Sequence, residues 1–467
     1  MMLTQGCRVH FIGIGGISMS ALASILLDRG YVISGSDSTP NNLTEALQSR
    51  GATIYIGQSA SNCHDADIAV FSSAIRSDNP ERVAAVNLGI PLWHRSDLLS
   101  VICDTGASIG ISGSHGKTTT SSMLAAILLK TGMDPTLILG GEMPLIGSNA
   151  RNGTDYVLAE VDESDGSFTK LALNHIIVTN VDNDHLDHYQ TSDKLLDAFS
   201  IFCRQTKDPG SIILGVDSPH SQELLSMLRL MGREVITCSL TGPGDMRAAN
   251  ITYNNGGSCF DLLWKDSNLG SVKLNVPGDY NIRNALCSAA LALSLGIRFP
   301  EITAALNEFQ GAARRFEHAC TRCDVDVYND YAHHPTEIQA CLSAARQLHP
   351  CRLVVVFQPH LYSRTQILLN EFAQSFGEAD LLILTDIYPA REDPIEGVDG
   401  LLLFSAVGEY LPTEKMHYVA QLDQLPDYIL GQLEAGDLIL LLGAGSINRV
   451  SAELCQKLQK ESREVGS

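Results

Sequence analysis

Residues 108–120, SIGISGSHGKTTT, decide how the chain is read. An apolar, β-type run leads into Gly113-Ser114-His115-Gly116-Lys117-Thr118-Thr119, and a helical pattern follows over Thr120–Lys130. A glycine-rich turn between strand and helix aims backbone N–H groups at phosphate, helped by the partial positive charge of the helix start. In such a turn a lysine reaches the terminal phosphates and a Ser/Thr hydroxyl ligates Mg²⁺, the roles open to Lys117 and Thr118. The spacing is the shorter GxxGK[ST], because Ile111 stands where GxxxxGK[ST] has its first glycine. The stretch predicts an ATP-binding α/β domain.

Downstream, Tyr156–Glu160 reads as a strand ending in a carboxylate, followed by Asp162, Glu163 and Asp165. A later strand from His175 runs into Asp182, Asp184, His185, Asp187 and His188. Strand ends of a parallel sheet converge on one edge, where a nucleotide lies. Mg²⁺ takes only a few carboxylates besides phosphate oxygens, so one or two of these groups suffice. The others read equally as helix caps or solvated charges.

Upstream, strand-like runs at 8–14, 31–37, 52–57 and 67–75 alternate with helical patterns such as 17–30, which implies βαβ units. Gly13-Ile14-Gly15-Gly16-Ile17-Ser18, with Asp37 after the second strand, is close to a dinucleotide fingerprint. Ser18 replaces the third glycine, so the cluster supports a phosphate-binding turn more than it supports NAD. Towards the C-terminus, strand-like runs at 325–332, 352–360, 381–387 and 437–445 mark another α/β segment. There DYAHHPTE (330–337) and QPHLYSRT (358–365) follow strands. Their His, Tyr and Arg suit a carboxylate or phosphate site, or else local capping. The expectation is an α/β chain of three domains. These are a Rossmann-like domain over 1–103, a central P-loop ATP-binding domain over 104–312, and a Rossmann-like domain over 313–467.

The chain has 467 residues with a formal net charge of −21, 18% charged and 45% hydrophobic, which is not a disordered composition. The acidic balance argues against a general nucleic-acid or anionic-membrane binder. Glycines interrupt the apolar stretch 9–27, so it reads as neither a signal peptide nor a span, and a cytoplasmic location is expected. The twelve cysteines lack regular spacing and read as reduced, core-filling thiols, including the single CxxC of Cys320 and Cys323.

Taken together, GIGGISMSALA (13–23), SGSD (34–37), GSHGKTTT (113–120), EVDESDGSF (160–168), VTNVDNDHLDHY (178–189), RRFEH (314–318), DYAHHPTEI (330–338) and GAGSIN (443–448) resemble the Mur ligase family. These are ATP-dependent amino-acid ligases of peptidoglycan precursor synthesis, and the resemblance spans nearly the whole chain. It is strongest to the branch that joins L-alanine to the carboxylate of UDP-N-acetylmuramate through an acyl phosphate, releasing ADP and phosphate. The resemblance implies Lys117, Glu160 and His185 as catalytic residues. It implies Mg²⁺ on Thr118, Glu160 and His185, with Glu163 as a second carboxylate. ATP is implied on Gly113, Ser114, His115, Gly116, Lys117, Thr118, Thr119, Asn281, Asn284 and Arg315. The UDP-sugar falls to Gly13, Gly15, Gly16, Asp37, Ser72, Ser73 and Arg95, and the amino acid to His333, His360 and Arg364. Tyr280, Leu361 and Asn329 depart from the histidine, arginine and aspartate usual at those places. The tripeptide-recycling branch usually reads EADEYD where this chain has EVDESD. An NAD-dependent dehydrogenase would leave the 113–119 loop unexplained, and a non-catalytic regulator would not need an intact Lys117, Thr118, Glu160 and His185.

Overall fold

The structure, a computed structural model, describes residues 3–254, 256–390 and 392–464. Its strands form three sheets. The first holds β1 (Arg8–Ile12), β2 (Val32–Asp37), β3 (Thr53–Ile56), β4 (Ile68–Phe71) and β5 (Leu92–His94), all parallel, in the order β3-β2-β1-β4-β5. Strand order therefore reverses between β1 and β4, the place where doubly wound sheets bind ligands.

The second sheet holds β6 (Ala107–Ser112), β7 (Thr136–Met143), β8 (Ser148–Arg151), β9 (Tyr156–Glu160), β10 (His175–Val178), β11 (Ser211–Gly215), β12 (Ile236–Ser239), β13 (Met246–Asn254), β14 (Gly257–Trp264) and β15 (Ser267–Leu274). Its order is β15-β14-β13-β12-β11-β10-β6-β9-β7-β8. The strands from β13 to β12, β11, β10, β6, β9 and β7 are parallel neighbours, and β8 closes one edge antiparallel. The third sheet holds β16 (Glu317–Arg322), β17 (Val325–Asp330), β18 (Arg352–Phe357), β19 (Leu381–Leu384), β20 (Met416–Tyr418) and β21 (Asp437–Leu442), in the order β16-β17-β21-β18-β19-β20.

Two compact units result. One comprises residues 1–249, 261–272 and 283–308; the other comprises 250–260, 273–282 and 309–467. In the first unit one apolar core runs from Val9 and Phe11 of the first sheet to Val157 and Val178 of the second. The helix Ile17–Asp28 explains this continuity. Every residue from Met19 to Leu26 is buried, so it is covered on all sides rather than along one stripe. Asn149 Nδ2 on β8 donates to the carbonyl of Ile17 at 2.7 Å and ties the helix to the second sheet. In the second unit, apolar β17, β18, β19 and β21 are sandwiched between two cores, one around Phe357 and Phe372 and one around Val356 and Leu454.

One expectation is overturned. Cys320 and Cys455 form a disulfide across 135 residues, with Cα atoms 6.2 Å apart. The β16–β17 hairpin brings Cys320 against the helix Asn448–Glu464, a proximity that sequence spacing does not reveal. Cys323 is exposed, so the CxxC pair is not a joint site; the other cysteines are free thiols, most of them buried. Among the described residues no helix is long and apolar enough to cross a membrane.

Candidate active site

The phosphate loop leaves β6 at Ser112 and enters the helix Lys117–Lys130, three residues earlier than the sequence pattern indicates. Gly116 has φ +84°, and a Cβ there would lie 2.4 Å from Asn284 Oδ1, so only glycine fits the turn. Asn180, just beyond β10, braces the loop. Its Oδ1 accepts the His115 N–H at 3.0 Å, and its Nδ2 donates to the His115 carbonyl at 2.9 Å. His115 Nε2 lies 3.0 Å from Asp182 Oδ2. Ser288 donates to the Thr120 carbonyl at 3.1 Å, fixing the helix that carries Asn284 against the loop helix.

Lys117 Nζ donates to the carbonyls of Gly113 (2.7 Å) and Ser114 (3.2 Å) and to Glu163 Oε1 (2.7 Å). Burial works against the ammonium charge, but Glu163, Asp162 and Glu160 outweigh it and raise the Lys117 pKa above the ordinary lysine value. The same Glu163 oxygen lies 3.4 Å from His185 Nε2. Burial disfavours the His185 imidazolium, yet Asp184 and Glu163 prevail and raise its pKa. Lys117, Glu163 and His185 thus share one carboxylate. Glu160 sits at the end of β9, beside Ile111 in register, with Oε2 accepting the Gly140 N–H at 3.0 Å. A Cβ at Gly140 would meet Glu160 Oε1 at 2.1 Å, so the glycine makes room for the carboxylate. The side chain of Asp187 lies outside those described.

The first-sheet residues have more committed partners than sequence suggests. In the glycine turn, Gly13 and Ile14 N–H groups donate to the Ser36 carbonyl, Gly15 N–H to Asp37 Oδ2 at 2.8 Å, and Gly16 N–H to the Gly13 carbonyl. Asp37 therefore braces the turn. The Ser72 carbonyl accepts the Ile75 N–H. Ser73 bonds to Asp165 and lies 3.1 Å from His94 Nε2, while Arg95 Nη2 donates to Asp162 (2.7 Å) and Asp165 (3.0 Å). Burial pushes both carboxyls up, but Arg95 and, for Asp165, the hydroxyls of Ser167 and Ser73 outweigh it and hold both below the usual range.

In the second unit, His333 and His360 rings are 5.7 Å apart, and Arg364 Nη1 is 3.4 Å from His360 Nδ1. His333 Nδ1 lies 3.2 Å from Glu337, and His334 caps the helix Pro335–Arg346, so the capping reading applies to one histidine of the pair. Arg315 lies over the Tyr331 ring, and Asn281 Nδ2 donates to the Pro277 carbonyl at 2.7 Å. The three departures are also placed. Tyr280 has a buried hydroxyl without a hydrogen-bond partner among the described residues. Leu361 is buried at φ +71°, its N–H donating to the Tyr388 carbonyl at 3.0 Å. Asn329 donates to Ser451 at 2.9 Å.

Sequence reasoning missed Gly140, Asn180, Arg314 and Tyr388. Arg314 Nη2 donates to the Gly443 and Gly445 carbonyls, and Tyr388 stacks on His360. A glycine inside a strand was a usable signal for close approach at Gly140. Nothing local marks Tyr388, whose partner is distant in sequence.

Three family models match: "Mur ligase family, catalytic domain" over residues 8–106, "Mur ligase middle domain" over 111–292, and "Mur ligase, glutamate ligase domain" over 314–445. A UDP-N-acetylmuramate–L-alanine ligase of Syntrophus aciditrophicus is 43% identical over 454 residues, 97% of this chain and 94% of that protein. A protein of the same name from Geotalea uraniireducens is 41% identical, covering 97% and 98%. Among solved structures, UDP-N-acetylmuramate-alanine ligase MurC of Thermotoga maritima superposes with a TM-score of 0.84 at 28% identity, covering 97% of this chain and 100% of that one. A murein peptide ligase of Psychrobacter arcticus shares the fold, with a TM-score of 0.72 at 23% identity and coverage of 97% and 99%. The chain belongs to the Mur ligase family.

Proposed function

We propose that the protein is an ATP-dependent ligase joining L-alanine to the carboxylate of UDP-N-acetylmuramate, with release of ADP and phosphate. The observation that carries this reading is the meeting of Lys117, Glu163 and His185 on one carboxylate oxygen at the phosphate loop, in a chain whose alanine-ligase relatives match it nearly end to end.

Both reacting partners are anionic, so the site must neutralise charge and align a carboxylate oxygen with the γ-phosphorus. Lys117 supplies the cation. Its three N–H donors are taken by the Gly113 and Ser114 carbonyls and Glu163, which hold it against the loop, so it exchanges one of these bonds for a phosphate oxygen when ATP binds. The Thr118 hydroxyl and the Glu160 carboxylate offer the oxygens that Mg²⁺ prefers and would hold it, with the His185 ring nitrogen, 3.4 Å from Glu163, as a further donor. Mg²⁺ held there would supply charge neutralisation on the phosphate oxygens. Asn284 is set against Gly116 of the phosphate loop, where ATP would lie; the family resemblance assigns Asn281 and Arg315 to ATP too, and His333, His360 and Arg364 to the amino acid.

The substrate carboxylate displaces ADP from the γ-phosphorus and becomes an acyl phosphate. The amine of alanine then attacks the acyl carbon, and phosphate leaves carrying one original carboxylate oxygen. The test is therefore isotopic. UDP-N-acetylmuramate labelled with ¹⁸O in its carboxylate transfers one ¹⁸O to each released phosphate; unlabelled phosphate contradicts the acyl-phosphate route. The segment Glu160–Asp165 reads EVDESD, which favours the alanine acceptor over the tripeptide of the recycling branch.

A further inference from the structure

The stretch from Glu160 to Ser167 faces two walls at once. Glu163 turns to the phosphate loop, where it takes Lys117 and lies 3.4 Å from the Ser112 hydroxyl. Asp162 and Asp165 turn to the first sheet. Asp165 Oδ2 accepts the Ser73 hydroxyl and Arg95 Nη2 (3.0 Å) and lies 3.6 Å from His94 Nε2. Its other oxygen, Oδ1, accepts the N–H of Ser167 at 2.9 Å and the Ser167 hydroxyl, which fixes the carboxylate plane. Ser73 follows the end of β4, His94 ends β5, and Arg95 opens the helix Arg95–Cys103. One carboxylate therefore gathers three side chains from the C-terminal edge of a parallel sheet, the edge at which ligands bind.

We infer that Asp165 is a positioning residue that holds Ser73 and Arg95, at the sugar-nucleotide end of the site, in register with the segment carrying Glu160 and Glu163 to the phosphate loop. The inference rests on the function proposed above, since it supposes a substrate whose nucleotide end meets the first sheet and whose carboxylate meets ATP. Such a substrate bridges two domains, and a shift of about 1 Å between its anchor and the γ-phosphate is enough to cost about 100-fold in rate. Arg95 fits this part. Its side chain is 13% exposed and paired with two carboxylates, so it acts as an oriented donor with little net charge left to attract anions.

The test compares wild type, Asp165→Asn and Ser167→Ala with UDP-N-acetylmuramate, L-alanine and Mg²⁺-ATP. Asp165→Asn keeps the size of the side chain and removes its charge. Its kcat is expected to fall about 10-fold or more as register is lost, and its KM for the sugar nucleotide to rise about 10-fold or more, with the KM for ATP within about 2-fold of wild type. Ser167→Ala removes the hydroxyl bond to Asp165 Oδ1 but keeps the Ser167 N–H bond, so its sugar-nucleotide KM is expected to rise less than that of Asp165→Asn. Calorimetric titration of UDP-N-acetylmuramate alone into each folded variant reads the same loss without turnover. In a cycle with Ser73→Ala, the combined KM effect falls well short of the product of the single effects, because both changes remove one bond. An unchanged sugar-nucleotide KM in Asp165→Asn, or equal rises in both KM values, overturns the inference while wild-type turnover stands. Absence of wild-type turnover refutes the proposed function itself.

Discussion

Lys117 and Glu163 illustrate how much a single pair decides. Glu163 is fully buried and Lys117 partly so, and removing the lysine strands a buried carboxylate. Lys117→Ala is expected to abolish turnover and to destabilise the fold by about 3 kcal/mol, read from urea unfolding. The double variant Lys117→Ala/Glu163→Gln regains part of that stability but no activity; a double variant as unstable as the sum of the singles contradicts the pairing. Gly140 gives a second residue-level prediction. Gly140→Ala pushes the Glu160 carboxylate aside, and the Mg²⁺ concentration for half-maximal activity rises about 10-fold at little cost in fold stability. An unchanged Mg²⁺ dependence argues against Glu160 as a metal ligand. Lys117 was legible from the glycine-rich loop, whereas Glu160 and His185 were singled out from the neighbouring acids and histidines only by the family resemblance. Gly140 and Asn180 act through neighbours that only the sheet brings together.

At the scale of elements, the sequence pattern located parallel strands β1–β4, β6, β9, β10, β17–β19 and β21 but not β5, β7, β12 or β20, and it placed several strand ends too late. The pattern ran to 14, 75 and 360, whereas β1, β4 and β18 stop at Ile12, Phe71 and Phe357. In each case the surplus is the loop at the strand's C-terminal end, and alternation of residue types continues past the last ladder hydrogen bond. Strand β8, antiparallel to β7, and β13–β15 went unread; β8, β13 and β15 are largely polar or half-exposed and carry no apolar run. The end of β17 supplies a pH prediction. Burial pushes the Asp330 carboxyl up to about 6, against the opposing pull of Arg315 and of the N–H groups of Ala332 and Phe316. Native Asp330 keeps a proton that the unfolded chain releases above about pH 4, so its contribution to stability is lost as pH rises from about 4 through 6. The ceiling is about 3 kcal/mol. Asp330→Asn should flatten this part of the stability-against-pH curve, and an identical curve would refute the raised pKa.

Across the whole molecule, two units with separate cores imply unfolding in more than one step. Both tryptophans, Trp93 and Trp264, belong to the first unit, whereas helix and strand are spread over both. Tryptophan emission and far-ultraviolet circular dichroism should therefore give different urea midpoints; superimposable curves would mean a single cooperative transition. The three-sheet α/β plan was legible from alternating apolar runs. The disulfide was not, since its halves lie 135 residues apart in a chain whose cysteine spacing has no pattern. The central claim is tested most directly by phosphate release from Mg²⁺-ATP with UDP-N-acetylmuramate and, in turn, L-alanine, L-serine, glycine, a peptidoglycan tripeptide or no acceptor. Release that requires both the sugar nucleotide and L-alanine, and that Lys117→Ala eliminates, is the predicted result. Release with the tripeptide alone, or none with any acceptor from folded protein, would contradict it.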